Sequence, residues 1–154
     1  MSKKRDLIRM ADEEVWRFIE GCKSLQVATL NKNGSVQLTT LWFAIVDGAI
    51  IFETFTKSQK IVNLKRDPRI AVLVEDGTTY DQLRGVSING RAELVEDPAQ
   101  VERYAEAVVR KNNPEVPPEM VGQAAKAMAQ KRTVVIVRPE HIASWDHRKL
   151  GGTY

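Results

Sequence analysis

Residues 49–75 read AIIFETFTKSQKIVNLKRDPRIAVLVE, and their order of strand, short helix and strand decides the fold. The apolar runs AIIFE and RIAVLVE have the length and β-branched content of buried strands. Between them, Ser58 is placed to cap a helix whose first turn is Gln59, Lys60 and Ile61. Ile61 and Leu64 stand three apart and face a core together. The segment is strongly basic, with Lys57, Lys60, Lys65, Arg66 and Arg69 against one acid, Asp67. Such charge serves as a solvated helix face, a nucleic-acid patch or a cradle for phosphate. Lys65, Arg66 and Arg69 fall at or beyond the helix end, where positive charge suits the helix dipole without a ligand. Lys60 falls in the first turn, where a cation opposes the dipole and unpaired backbone N–H groups point outward. Those amides, the Ser58 hydroxyl and the Lys60 ammonium together suit a phosphate. Ser-x-Lys alone is a weak pattern, so the residues by themselves leave the cradle and the solvated surface open.

Upstream, the strand-rich runs SLQVATL and SVQLTTLWFAIV flank NKNG, and the DG pair precedes AIIFETF. This is meander spacing with hairpin turn chemistry. Alternation along the second run places Gln37, Thr39 and Leu41 on one face, and Leu38, Thr40 and Trp42 on the other. The mid-strand threonines suit either a slot for a planar ring or a strand with one wet face. Before these runs, ADEEVWRFIEGC reads as a short helix with Asp12 as N-cap and Gly21 as stop. Downstream, YDQLRGVSINGRAELVE reads as a long strand bent or bulged at Gly85 and Gly90. DPAQVERYAEAVVRK is an amphipathic helix capped by Asp97 with Pro98 in its first turn. PEMVGQAAKAMAQ is a further helix, and RTVVIVRPEHIASW holds the last strands. The fold class expected is therefore mainly β with peripheral helices: a six-stranded, closed or partly closed antiparallel barrel in one domain over residues 1–154.

The 154 residues carry a net charge of +3, with 43% hydrophobic and 28% charged residues. The composition is that of an ordinary soluble domain, and so mild a charge argues against nucleic-acid binding. No apolar stretch approaches a membrane span, and no secretory leader is read at the start. Cys22 is the single cysteine, which excludes an internal disulfide and suits a reducing cytoplasm. His141 and His147 lack the spacing of a metal site. No nucleophile elbow, Rossmann fingerprint or P-loop occurs. The end of the chain, SWDHRKLGGTY, is a dense polar-aromatic tail with Trp145, His147, Arg148 and Tyr154, suited to disorder or to folding over a site or a partner subunit.

Taken together, VATLNKNGSVQLTTLWF, IFETFTKSQKIVNLKRDPRIAVLVED and GVSINGRAELVED resemble the flavin- and deazaflavin-binding split β-barrel family, the pyridoxamine-phosphate-oxidase-like proteins. The resemblance covers most of the chain and implies an FMN-binding-like split barrel. It implies that Ser58 and Lys60 hold a cofactor phosphate, with Lys57 as helper, and that Thr54 and Thr56 line the sugar-phosphate channel. Asn63 would contact the ribityl chain or support the loop. Leu38, Thr39, Thr40 and Leu41 would lie along the tricyclic ring. It further implies a homodimer with cofactor sites at the interface, where Trp145 of the tail would complete the partner's site. Vitamin B6 oxidation is not expected, because Thr39 and Ala44 stand where those oxidases carry Arg and Lys. TKSQKIVNLKRDPR and WDHRKLGG look more similar to the actinobacterial deazaflavin branch. The implied activity is an F420-dependent oxidoreductase passing hydride to a conjugated enone- or quinone-like small molecule. An FMN enzyme, or a carrier of flavin, deazaflavin or haem without turnover, is the alternative. Candidate proton donors are Tyr80, His147 and Tyr154 by residue type.

Overall fold

The computed structural model describes residues 3–152. In chain order the elements are α1 (Lys4–Leu7), α2 (Asp12–Gly21), β1 (Ser24–Leu30), β2 (Val36–Trp42), β3 (Ala44–Val46), β4 (Ala49–Phe55), α3 (Gln59–Arg66), β5 (Arg69–Asp76), β6 (Arg84–Val95), α4 (Pro98–Asn112), α5 (Val121–Ala129) and β7 (Arg132–Asp146). The strands form one antiparallel sheet of seven, ordered β2-β1-β5-β6-β7-β4-β3. The two edge strands, β2 and β3, are separated in sequence by Phe43 alone. A sheet whose opposite edges are joined by one residue cannot lie flat, so it curls into a barrel that is split between those edges. Phe43, fully buried, closes the turn of the curl.

The expected count of six strands thus becomes seven. SVQLTTLWFAIV carries no turn residue and reads as one strand, yet its first half pairs with β1 and its second with β4. The C-terminal end of α4 holds the division in place. Asn112 Nδ2 donates to the Phe43 carbonyl at 3.0 Å, and the Lys111 ammonium sits 3.8 Å over the Phe43 ring. RTVVIVRPEHIASW, in turn, is a single strand.

The turn chemistry acts as the residues require. Asp47 and Gly48 have φ of 50° and 75°, the mirror-type hairpin geometry that joins β3 to β4. In the β6–β7 ladder Asn89 faces His141 while Gly90 faces Pro139, so Glu140 is the extra residue of a bulge. Gly85 marks no bulge. A Cβ there would lie 2.1 Å from the Trp145 indole, so the ring of its cross-strand partner occupies that space. At α2 the cap is Ala11 rather than Asp12, which is the first helical residue. The Glu14 carboxylate takes the Ala11 N–H at 2.6 Å, half of a capping box.

The barrel interior is filled by Leu25, Val27, Phe52, Ile61, Val72, Ile88 and Val135, among others. A second apolar layer, with Ile51, Val101, Val108 and Ile136, lies between β3, β4, β7 and α4. Glu53 shares the Ile51 face of β4. Its side chain is 2% exposed, with Arg132 at 3.9 Å and neither oxygen hydrogen-bonded. Burial pushes the Glu53 carboxyl above its usual 4.5, offset in part by Arg132. A raised folded-state value means the native state holds this proton more tightly than the unfolded chain. Its contribution is therefore present below about 4.5 and lost as pH rises through the folded value. Glu53→Met is expected to raise stability at pH 7 by roughly 1–3 kcal/mol, the cost of a buried polar group without a partner. Denaturant titrations across pH should show the gain shrinking as the pH is lowered towards the unfolded-state value.

Candidate functional site

The site begins at the start of α3. Ser58 is extended (φ −66°, ψ 154°) and its Oγ takes the Ile61 N–H at 3.5 Å. Ile61 and Leu64 plug that end of the barrel. The Thr54 hydroxyl donates to Ser58 Oγ at 3.5 Å. The Thr56 and Thr133 hydroxyls lie 2.9 Å apart, and Thr133 reaches Glu96 at 3.4 Å. Thr54, Thr56, Ser58 and Lys60 are thereby gathered on one hydroxyl-rich corner formed by the end of β4 and the first turn of α3.

The cations of this corner separate into engaged and free. Lys65 pairs with Glu96 at 2.8 Å, which holds the Glu96 carboxyl below its usual value. Arg66 donates to the Leu30 carbonyl. Arg69 forks onto Asp67 and holds that carboxyl down at about 2. Lys60 is different. Among the described residues it forms no ion pair, and burial alone pulls its ammonium below the usual 10.5. A cation at a helix start opposes the helix dipole, so Lys60 stands in an arrangement that suits an anion. Lys57 is exposed and likewise unpaired among the described residues.

Asn63, further along α3, is fully buried. Its Nδ2 donates to Thr29 Oγ1 at 3.0 Å and to Asn31 Oδ1 at 2.9 Å. Its Oδ1 accepts from Gln59 at 2.8 Å and Arg66 at 3.3 Å. Every polar atom of the amide is committed to protein, so Asn63 fastens α3 to the end of β1. Thr133 and Glu96, which extend the corner, and Thr29 and Asn31, which hold α3 through Asn63, were not read from the sequence. They are scattered over three segments and carry no local motif.

On β2 the alternation is as read. Thr39 faces Val27, and Leu41 faces Leu25, both partners buried in the barrel. Leu38 and Thr40 point outward with Val36 and Trp42, and Leu38 is 66% exposed. The four β2 residues therefore present side chains to two opposite faces, and a planar ring on either face meets only two of them. Thr39 Oγ1 is shielded and has no hydrogen-bond partner among the described residues. Trp145 is not part of the corner within one chain. It lies at the far end of β7 from Thr133, roughly 40 Å along the strand path. Tyr80 and His147 pack ring edge to ring face, 4.7 Å between centroids, and His147 Nδ1 lies 2.8 Å from the Tyr80 carbonyl. Within the chain, Lys149 bonds the Arg9 carbonyl at 2.9 Å and Glu14 at 2.7 Å. Tyr154 lies outside the described residues.

Two clefts flank the sheet. One of about 550 Å³ lies between α2 and the ends of β1, β5 and β6. The other, about 370 Å³, runs over Ala28, Ala71 and Asn89 beside Val36. Ser58 and Lys60 line neither; they are half-buried, and Thr54 beside them is buried. No helix among the described residues is long and apolar enough to cross a membrane.

Residues 11–146 match the family model described as pyridoxamine 5'-phosphate oxidase, and the chain belongs to that family of flavin-binding oxidoreductases. It is similar to the conserved hypothetical protein Rv2991 from Mycobacterium tuberculosis, at 40% identity and TM-score 0.91 over 99% of this chain and 95% of that one. An F420 reductase shares the fold at 23% identity and TM-score 0.68, over 86% of this chain and 98% of that one. So does HutZ, the haem storage protein from Vibrio cholerae, at 15% identity and TM-score 0.64, over 86% and 94%. No curated protein matches.

Proposed function

We propose that the chain is an F420-dependent oxidoreductase, with FMN as the alternative cofactor, acting on a conjugated enone- or quinone-like small molecule. The observation that carries the cofactor reading is Lys60, a partly buried cation without an ion pair among the described residues, beside a Ser58-capped helix start. Both cofactors bear a ribityl phosphate, and the corner suits that group. Ser58 and Lys60 would hold it, Thr54 and Thr56 would line its approach, and Lys57 is free to meet a further anionic extension. When bound, the cofactor supplies hydride chemistry; the protein supplies binding, orientation and a dry face. Outward Leu38 and Thr40 offer a surface for the ring, and the free backbone edge of β2 offers hydrogen bonds.

The same reading has two copies pairing as a homodimer in the cytoplasm, with cofactor sites at the interface and Trp145 of one copy near the site of the other. Exposed Val36, Leu38 and Trp42 on one face of an edge strand support pairing there. Sedimentation of the purified chain should give twice the mass of one chain; a single-chain mass sinks this part.

Fluorescence titration with F420 and with FMN tests the cofactor assignment. Lys60→Ala is expected to weaken F420 binding by about 10- to 150-fold, the equivalent of roughly 1.5–3 kcal/mol for a charge-assisted hydrogen bond. Failure of the native chain to bind either cofactor overturns the reading. Turnover is tested separately, by oxidation of reduced F420 in the presence of an enone or a quinone. A carrier of flavin, deazaflavin or haem is the second reading. It is favoured by the engagement of Tyr80 and His147 with each other, which leaves neither beside the Lys60 corner. Binding without turnover selects it.

A further inference from the structure

We infer that the cleft between α2 and the strand ends is a binding site for a small zwitterion, a molecule carrying both an ammonium and a carboxylate on an apolar body. This inference does not depend on the cofactor reading, because Ser58 and Lys60 do not line the cleft.

The cleft is built from two surfaces. Met10 and a stripe of α2 comprising Glu14, Arg17, Phe18 and Gly21 form one wall, at the three- and four-residue spacing of a single helix face. The other wall is the start of β1 with the end of β5 and the start of β6. Its volume, about 550 Å³, is that of a small-molecule site.

The charges inside determine what fits. Two cations and two carboxylates already satisfy each other: Arg84 pairs with Asp76, and Arg148 pairs with Asp146 at 2.7 Å. Glu14 is held by Lys149 at 2.7 Å. Arg17, Lys23 and Glu75 remain, with no ion pair among the described residues. Lys23 only rests over the Trp42 ring at 5.4 Å. The lining is thus balanced, so neither a polyanion nor a bare cation is favoured, while unpaired groups of both signs remain.

A further acceptor waits beside Glu75. Gln26 Oε1 is shielded from solvent and has no hydrogen-bond donor. Gln26 pairs with Leu73 across β1 and β5, and Glu75 lies two residues beyond Leu73 on the same face of β5. The two side chains are diagonal neighbours, within reach of one ammonium group. Such a group would satisfy the orphaned Gln26 oxygen and neutralise Glu75, while Arg17 or Lys23 takes the carboxylate. Met10 and Phe18 supply the apolar wall.

Calorimetric titration of the full chain with L-phenylalanine tests this, set beside 3-phenylpropionate, which lacks the amine, and 2-phenylethylamine, which lacks the carboxylate. L-phenylalanine is expected to bind at least about tenfold more tightly than either, the effect of one charge-assisted hydrogen bond. Gln26→Leu and Glu75→Gln should each weaken L-phenylalanine and leave 3-phenylpropionate unchanged. Gln26→Leu should not lower the unfolding temperature, since it removes an unsatisfied buried acceptor. Should that variant fail to fold, Glu75→Gln, at an exposed position, still decides. No binding of L-phenylalanine, equal binding of the three probes, or indifference to both substitutions overturns the inference.

Discussion

Gly90→Val should be the most damaging single substitution in the sheet. A Cβ on Gly90 would fall 2.1 Å from the Arg138 carbonyl oxygen and 3.1 Å from the Pro139 Cα. Both neighbours are backbone, and they belong to the bulged segment, so no side-chain rotation relieves the clash. Either the bulge is lost or β6 and β7 separate. Overpacking against yielding side chains costs about 1–3 kcal/mol, and a clash with backbone should reach at least the top of that range. For a domain of this size, about 3 kcal/mol corresponds to a fall of roughly 6–12 °C in Tm. Gly122→Ala is the control. That glycine is helical and its Cβ would meet nothing closer than 3.9 Å, so Ala should stabilise by roughly 0.4–1 kcal/mol. Scanning calorimetry of the two variants checks both signs. A Gly90→Val protein melting with the native one would remove the bulge argument.

Asn63→Ala should be nearly as costly and should also reach the function. The buried amide is bonded to Thr29, Asn31, Gln59 and Arg66. Deleting it strips partners from several groups at once and leaves a small void, for an expected loss of roughly 2–4 kcal/mol. The loss should be local first. Amide exchange ought to speed up across α3 before it does in β5 or β6, because Asn63 is the polar fastening of that helix to β1. Cofactor affinity should fall too, although Asn63 is sealed from any ligand, since Ser58 and Lys60 take their positions from α3. Asn63→Asp should restore little, because a carboxylate cannot donate to Thr29 Oγ1 and Asn31 Oδ1. Full stability with faster exchange nowhere in α3 would make Asn63 incidental.

These two residues also show what the sequence discloses and what it hides. Gly90 is visible as a break in a strand pattern, although what requires it lies across the sheet, and Ser58 and Asp97 are visible as caps because each acts on backbone within three residues of itself. The alternation of β2 and the Asp47–Gly48 turn were legible for the same reason. The choice for Asn63 between a ribityl contact and support of the loop stays open in one dimension, because its four partners come from Thr29, Asn31 and two turns of its own helix, a convergence that exists only after β1 and α3 meet. The division at Phe43 was hidden for a similar cause. Nothing in LWFAIV interrupts a strand locally; the break is imposed by pairing with β1 on one side and β4 on the other. The α2 cleft is invisible in one dimension, since its walls lie at residues 10–26, 75–84 and 146–148.

The position of β4 bears on how the chain is made. Six of its seven residues are buried, yet the strand that pairs along most of its length, β7, follows about 80 residues later. Until then its only partner is the three-residue β3. A nascent chain therefore carries AIIFETF with one edge unpaired through most of synthesis, exposed to self-association. Truncation before Arg132 would yield an open, aggregation-prone sheet rather than a smaller barrel.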